Sequence, residues 1–275
     1  MRKVNNILWI ISIAFMVTSS ICAKVMVQSS DNRIVMENEH ILVVIAPNGG
    51  GRIQRLVDKA TGVDAIALWK GDEEIGGALD DRLFFTRAHY RASVMQTGDD
   101  IGVVRLEASH PTGLSIAKVI SLRRGDNALI VSYAFTNATQ KPQRLWVRNF
   151  IIPNGAPLTD AHLYWMPLVK KPIEGVPFVS GYYANLRAPW AAIWERKSGN
   201  GIIAIVPGVE RFYFWQGARE FPTFEWLYPE TPAGKRMTAS LALAFVHSQT
   251  PPDWDAIAKA RLRRLKPARF TDIQG

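Results

Sequence analysis

The chain has 275 residues, of which 48% are hydrophobic and 21% are charged, and its formal net charge is +9. This length and composition allow a substantial buried core, which excludes a wholly disordered chain and a protein with many membrane spans. The positive charge does not by itself indicate nucleic-acid binding, because no nucleic-acid-binding motif accompanies it.

The first 23 residues differ in character from the rest. Met1–Lys3 is basic, Ile7–Val17 is almost entirely apolar, and Thr18–Ala23 ends in small side chains. This order predicts a secretory signal peptide, and the apolar run is shorter than the roughly 20 residues of a membrane span. We therefore expect a periplasmic or secreted protein with no stable membrane span after cleavage. Cleavage would remove Cys22, the only cysteine, and with it any thiol chemistry.

Strand-like runs separated by turn residues fill residues 24–250. Gly, Asp and Asn between the runs favour tight reversals, so consecutive runs are predicted to form hairpins. The predicted strands, in chain order, are His40–Ala46 with Arg52–Asp58, then Val63–Leu68, Tyr90–Thr97 with Ile101–Ala108, Leu114–Arg123 with Ala128–Asn137, and Trp190–Glu195 with Gly201–Val206. Long irregular loops are expected at Gly155–Ala188 and Gly217–Thr223. Because strands and helices do not alternate, the sequence predicts an all-β protein: one large antiparallel β-sandwich.

One helix is predicted near the end of the chain. Asp253 precedes it, apolar residues recur at helical spacing from Trp254 to Leu265, and Lys266-Pro267 closes it. Its basic residues fall on the face away from the apolar ones. Residues 251–275 are therefore expected to form a helix and a basic tail docked on the sandwich.

Four stretches together resemble the galactose mutarotase-like superfamily, which includes aldose 1-epimerases and hexose-6-phosphate epimerases. They are Val43–Gly62, Gly76–Arg82, Leu114–Phe150 and Phe224–Phe245, and their order and spacing agree with the superfamily from about residue 34 to residue 247. The resemblance implies a β-supersandwich with a single C-terminal helix added here, and a sugar-binding cleft that needs no cofactor.

The resemblance also implies catalytic candidates. Epimerases of this superfamily use a glutamate as base toward the anomeric hydroxyl and a histidine as acid toward the ring oxygen. Glu225 matches the glutamate, and its aromatic neighbours in the sequence would desolvate it and raise its pKa. The stretch that should carry the histidine reads Arg148–Phe150 instead. His162 or His89 would therefore have to supply the acid.

Further residues are candidates for binding a sugar. Arg82 resembles a substrate-contacting arginine of the superfamily, His89 resembles its first histidine region, and Asp81 and Asn149 lie within the matching stretches. Arginine and imidazole groups both donate hydrogen bonds to sugar hydroxyls.

Aromatic side chains are abundant in the second half of the chain, and flat rings suit the apolar faces of pyranoses. Trp165, Tyr182 and Tyr183 lie in loop-like sequence and are expected in the cleft. Trp194 and Trp215 are expected in the core.

Other site chemistries find little support in the sequence. The five histidines lack the spacing of a transition-metal site, and Gly49–Gly51 lies between strands rather than before a helix, so neither a metal nor a nucleotide cofactor is predicted. The expected partner is a saccharide, and the positive charge would suit an acidic glycan; no nucleic acid is expected, and the protein is expected to be a monomer.

Three functions stay open on the sequence. The first is carbohydrate binding without catalysis, which the missing histidine favours. The second is aldose 1-epimerase activity with Glu225 as base and His162 or His89 as acid. The third is a glycan lyase or hydrolase, which would require Glu225 to act with Asp80 or Asp81.

Overall fold

The structure is a computed structural model that describes residues 24–30, 32–67 and 76–273. The predicted signal peptide, residues 1–23, lies outside the described residues. The elements are β1 (Met26–Ser29), β2 (Ile34–Glu37), β3 (Ile41–Ala46), β4 (Arg52–Asp58), β5 (Val63–Asp64), β6 (Asp80–Asp81), β7 (Arg91–Gln96), β8 (Ile101–His110), β9 (Leu114–Arg123), β10 (Ala128–Asn137), β11 (Trp146–Asn149), β12 (His162–Met166), β13 (Ile173–Pro177), β14 (Gly181–Tyr183), β15 (Trp190–Glu195), β16 (Asn200–Ile205), β17 (Arg211–Trp215), β18 (Thr223–Leu227), β19 (Lys235–His247), α1 (Trp254–Leu262) and β20 (Arg269–Asp272).

These strands form three antiparallel sheets. The first contains β1 to β5 in chain order. The second has ten strands in the order β13-β12-β15-β16-β19-β10-β9-β8-β7, with β20 paired to β19. The third has five strands in the order β14-β17-β18-β11-β6. One large apolar cluster draws side chains from all three sheets, so the sheets enclose a common core.

The predicted all-β sandwich is confirmed, and its long hairpins follow from strict alternation along the chain. In β9 the residues Leu114, Ile116, Ile120 and Leu122 are buried while their neighbours are partly exposed. Successive side chains of a strand point to opposite faces, so this alternation produces one apolar face. Lys118 occupies the middle of that buried row, where an apolar residue would be expected.

The prediction of an irregular loop over Gly155–Ala188 was wrong. This segment contains β12, β13 and β14, of which β12 pairs with β15 and β14 pairs with β17. These strands are short and separated by Gly and Pro, so the local sequence pattern does not identify them. The positions of β12 and β14 are determined by pairing with strands further along the chain. The predicted strand Val63–Leu68 is shorter as well, because β5 ends at Asp64 and Leu68 lies outside the described residues.

The predicted helix is present as α1. The Asp253 carboxylate accepts a hydrogen bond from the Ala256 backbone N at 3.0 Å, which caps the helix start. Trp254 is buried in a second apolar cluster on the outer face of the ten-stranded sheet. The residues after the helix form β20, which pairs with β19 at one end of that strand. Within the described part of the chain, no helix has the length and apolarity needed to cross a membrane.

Candidate functional site

A single row of polar side chains crosses the third sheet. Residues in direct register on neighbouring strands share a face, and here Tyr182 pairs with Tyr213, Tyr213 with Glu225, Glu225 with Arg148, and Arg148 with Asp80. The other face of β17 and β18 carries the apolar residues of the core. Five strands from distant parts of the chain therefore place two acids, one arginine and two tyrosines side by side.

Glu225 lies at the centre of this row and is only 1% exposed. Arg82 Nη1 is 3.4 Å from its Oε2, and the Arg82 guanidinium lies over the Trp146 ring, 4.1 Å from the centroid. Burial raises the pKa of Glu225, and the charges of Arg82 and Arg148 partly oppose this rise. The carboxyl group is thus held beside a cation but largely removed from water.

Arg148 is held by a two-point contact. Its Nε and Nη2 both donate to Oδ2 of Asp80, at 2.9 and 2.6 Å, and its guanidinium lies 4.9 Å from the Phe150 ring centroid. Asp80 is fully buried, so this ion pair keeps the arginine in one position. Arg148 consequently stands between the two acids of the row.

An open cleft of about 310 Å³ lies over the row at Tyr213, Glu225 and Arg148. Its lining combines charged groups with aromatic rings: Arg82, Arg148, Phe150, Tyr213, Trp215, Phe221, Thr223 and Glu225. We call this site the cleft.

The prediction that Trp215 is a core residue was wrong, since it is 40% exposed. Alternation along β17 turns Phe212 and Phe214 inward and Trp215 outward.

Asp81 points away from the cleft because adjacent strand residues face opposite sides. It is fully buried and accepts hydrogen bonds from Lys118 Nζ at 2.7 Å and Tyr90 Oη at 2.6 Å. Lys118 Nζ also donates to the Leu79 carbonyl at 2.8 Å. Burial raises the pKa of Asp81 and lowers the pKa of Lys118. We call this group the interior cluster; it lies outside the lining of the cleft.

The short strand that carries Asp80 and Asp81 has an unusual backbone at both ends. Leu79 and Leu83 have φ angles of 57° and 71°, in the left-handed region that non-glycine residues seldom occupy. Just before them, a side chain at Gly77 would come within 2.6 Å of the Ile53 carbonyl oxygen. Close packing therefore forces the path of this segment, and such strain is common at functional sites.

Other predicted site residues lie elsewhere. Asn149 is buried and bridges strands, since its Oδ1 accepts from Leu79 N at 2.9 Å and its Nδ2 donates to Phe224 O at 2.8 Å. His162 lies on β12 of the ten-stranded sheet. His89 is exposed, and none of the three lines the cleft.

Both ring nitrogens of His162 already have partners. Nδ1 accepts from Thr159 N at 2.9 Å, which leaves Nε2 to donate to Asn154 Oδ1 at 3.0 Å. Burial lowers the pKa of His162, so the neutral ring is favoured. These contacts give the imidazole a local role in holding the segment before β12.

The predicted aromatic residues divide between two regions. Tyr182 is 53% exposed, and its ring centroid lies 4.4 Å from Tyr213 and 6.4 Å from Trp146, so it extends the edge of the cleft. Trp165 instead packs against Trp194 and Trp254, with centroids 5.8 Å apart in both pairs. Trp194 is buried, as expected.

The structure therefore brings together Glu225, Arg82 and Tyr182 from the predicted set. Sequence reasoning assigned no place in the site to Arg148, Tyr213, Phe150 or Phe221. Arg148 and Tyr213 have only an alternating position on a short strand as a sequence signal, which does not reveal the partner strand, and Phe150 and Phe221 lie outside the strands. Within residues 24–30, 32–67 and 76–273, no group of three or more His, Cys, Asp or Glu side chains is arranged to hold a metal ion.

Comparison with known proteins identifies the fold. No protein-family model and no curated protein matches the sequence. A galactose mutarotase-like protein from Clostridium acetobutylicum has a similar structure, with a TM-score of 0.60 at 9% identity over 82% of this chain and 99% of that one. Another, from Lactobacillus casei, gives 0.52 at 15% identity over 78% of this chain and 100% of that one.

A TPR-domain containing protein from Parabacteroides distasonis is also similar, with a TM-score of 0.61 at 15% identity over 80% of this chain. This chain spans only 48% of that protein's length. The resemblance found in the sequence is thus confirmed at the level of the fold: the chain has the galactose mutarotase-like β-sandwich fold. At these identities the similarity establishes the fold alone.

Proposed function

We propose that this protein binds a saccharide in the cleft. The observation that carries the proposal is the lining of the cleft, where Glu225 and Arg148 of the cross-strand row, Arg82 and a set of aromatic rings face one open cavity. The notable feature is that Glu225 is buried yet lies on the cleft side of its sheet. A carboxyl group placed in this way is available to a ligand and shielded from competing water.

The chemistry of the lining matches the chemistry of a sugar. Carboxylate oxygens accept hydrogen bonds from hydroxyl groups, and guanidinium groups donate to them. The rings of Tyr213 and Trp215 offer flat apolar surfaces to the C–H face of a pyranose. The Trp146 ring and the Asp80 carboxylate hold Arg82 and Arg148 in place, so little conformational entropy is lost when a ligand binds.

Aldose 1-epimerase activity is the second candidate, and the raised pKa of Glu225 favours it. A carboxyl group whose pKa moves upward becomes a stronger base, as abstraction of the anomeric proton would require. An acid opposite it is needed as well. Among the described residues that line the cleft there is no imidazole, and its arginines are too weakly acidic for that role. The remaining O–H acid beside Glu225 is Tyr213, and burial and the charge of Glu225 raise its pKa, which makes it a weaker acid. Binding is therefore the better-supported function.

A glycan lyase or hydrolase has less support. That mechanism needs Glu225 to act with a second carboxyl group. Asp81 faces the interior, and Asp80 is paired with Arg148, which stands between it and Glu225 in the row.

The test is calorimetric and NMR titration of the purified protein with a panel of monosaccharides and short oligosaccharides. We expect at least one sugar to bind and Glu225→Gln to weaken it by about tenfold or more, since hydrogen bonds to charged groups are worth about 1.5–3 kcal/mol. Glu174→Gln, on an exposed part of β13, is the matched control and should bind normally. A panel without any binding sugar would refute the proposal.

The same samples distinguish the two candidates. Two-dimensional exchange NMR of a reducing sugar measures anomer interconversion directly. A rate equal to that of buffer, together with saturable binding, supports binding without catalysis. A rate enhancement that disappears in Glu225→Gln would instead establish the epimerase.

A further inference from the structure

A second, larger concavity lies on the outer face of the ten-stranded sheet, where α1 passes the β9–β10 hairpin. Its volume is about 680 Å³, against about 310 Å³ for the cleft. The lining consists of Ile101, Ser121, Arg123, Arg124, Gly125, Asp126, Ile130, Ala260, Arg261 and Arg264. We call it the arginine groove. None of these residues belongs to the cleft.

The floor of the arginine groove is formed by cross-strand neighbours. Ile101 on β8 pairs with Arg123 on β9, and Ser121 on β9 pairs with Ile130 on β10. Side chains in register share a face, so this part of the sheet presents two isoleucines beside an arginine. The floor is therefore partly apolar, with a charged group at one end.

The walls carry most of the positive charge. Arg261 and Arg264 project from α1 and the residues after it, and they approach the Asp126 carboxylate at 3.5 and 3.3 Å. Arg261 also donates to Asn127 Oδ1, while its Nε is buried and has no hydrogen-bond partner among the residues that the structure describes. A buried N–H group without an acceptor is costly, which favours a ligand that supplies one.

The hairpin side adds two further arginines. Arg124 pairs with Asp100 at 2.8 Å, with both side chains well exposed. Arg123 is exposed and, within the described residues, makes no ion pair. The turn itself is fixed, because Gly125 has a φ of 72° and its backbone N donates to Glu39 Oε1 at 2.6 Å. Four arginines thus line the groove together with one acid, Asp126.

We propose that the arginine groove binds a polyanionic saccharide chain. Guanidinium groups bind carboxylate and sulfate oxygens through paired, charge-assisted hydrogen bonds. Arg123 stands at one end of the floor and the other three arginines stand on the walls of a groove more than twice the volume of the cleft, which suits an extended ligand with several anionic groups better than a single ion. The isoleucine floor can pack against sugar C–H faces. This inference does not depend on the proposed function of the cleft.

The experiment measures binding of an oligogalacturonate by calorimetry at low ionic strength, with its methyl-esterified form as the uncharged control. Arg123→Gln with Arg264→Gln removes two exposed charges from the groove and leaves the Arg261–Asp126 and Arg261–Asn127 contacts in place, although Asp126 loses Arg264 as its second partner. Arg91→Gln with Arg196→Gln removes two exposed charges elsewhere and is the matched control. Glu225→Gln reports separately on the cleft.

We expect the charged oligosaccharide to bind, the esterified one to bind at least about tenfold more weakly, and the groove variant to lose about tenfold in affinity. The control variant and Glu225→Gln should retain groove binding, and added salt should weaken it. The proposal is overturned if the groove variant keeps full affinity or if the control variant loses as much. Equal affinity for inorganic sulfate, or for an oligonucleotide of similar length, would also overturn it.

Discussion

Asp80 and Asp81 are neighbours in sequence, yet they belong to regions with opposite properties. Asp80 faces the cleft and holds Arg148, whose side chain remains 17% exposed. Asp81 faces the core and pairs with Lys118, and neither side chain has any exposure. The same residue type thus serves a solvent-accessible site on one side of a strand and a sealed ion pair on the other.

Charge has a different role in each of these two regions. A charge in the interior cluster can interact only with its protein partners, so its contribution is to stability and to the alignment of the sheets. A charge in the cleft is held by the protein on one side and is open to a ligand on the other. Substitutions should therefore separate the regions: interior changes should lower stability, and cleft changes should alter binding.

The largest effect is expected for Lys118→Met. Removing one partner of a buried ion pair leaves an uncompensated buried charge on Asp81, which typically costs about 3–5 kcal/mol. For a domain of this size that cost corresponds to a fall in Tm on the order of 10 °C. Thermal unfolding followed by circular dichroism measures it.

The double variant Lys118→Met with Asp81→Asn is the control for that result. It removes both charges, so part of the lost Tm should return. If the double variant loses more Tm than the two single variants lose together, the interpretation of a paired interior charge is contradicted.

The next effect concerns Glu225 and pH. Burial raises its pKa above the ordinary value of 4.5, so the folded protein holds this proton more tightly than the unfolded chain does. The stability from this group is fully present below pH 4.5 and is lost as pH rises through the raised folded pKa. Glu225→Gln cannot lose a proton. The Tm of Glu225→Gln minus the Tm of the wild type should therefore increase as pH rises from 4.5 toward neutrality.

Measuring Tm against pH for both proteins checks this sign. Glu174→Gln, an exposed acid, should follow the wild-type curve. Parallel curves for Glu225→Gln and wild type would show that the pKa of Glu225 is not raised by folding.

A smaller effect is expected for Arg82→Lys. Lysine keeps the positive charge but loses the planar group that stacks on Trp146 and donates in a fixed direction. We expect affinity for the sugar identified by titration to fall by about fivefold, which corresponds to ~1 kcal/mol. Tm should change little, because Arg82 is partly exposed. Arg211→Lys, on the same sheet but outside the lining of the cleft, should leave affinity unchanged.

The smallest effect is expected for Trp215→Ala. Trp215 is 40% exposed, so its loss should leave Tm nearly unchanged, while the loss of ring contact should weaken sugar binding severalfold. Calorimetry on the variant checks the affinity. Phe270→Ala removes a ring of similar exposure from β20 and should have no effect on binding.

The sequence predicted those parts of the fold that depend on local pattern. β9 and β10 begin and end where alternation and the intervening turn place them, and α1 starts at its predicted cap. The sequence did not predict β12 to β14. These short strands are stabilised by pairing, of β12 with β15 and of β14 with β17, and the local sequence does not show which strands pair.

The candidate site likewise contains residues that the sequence indicates and residues that only strand pairing reveals. Glu225 and Arg82 could be chosen because each lies in a stretch that resembles a known superfamily. Arg148 was named only as a departure from that resemblance, although it lies in direct register with Glu225. Trp215 was assigned to the core from its residue type, and the alternation of β17 turns it to the cleft. Register between strands is a property of the folded sheet and has no local signature.

Taken alone, the sequence determined the all-β architecture, the main hairpins and the terminal helix, because periodicity and turn chemistry act over a few residues. Only the tertiary structure decided which side chains meet. The row from Tyr182 to Asp80, the opposite orientations of Asp80 and Asp81, and the arginine groove all arise from contacts between residues far apart in the chain. Those contacts depend on how the sheets pair and pack, and that is settled by the whole core.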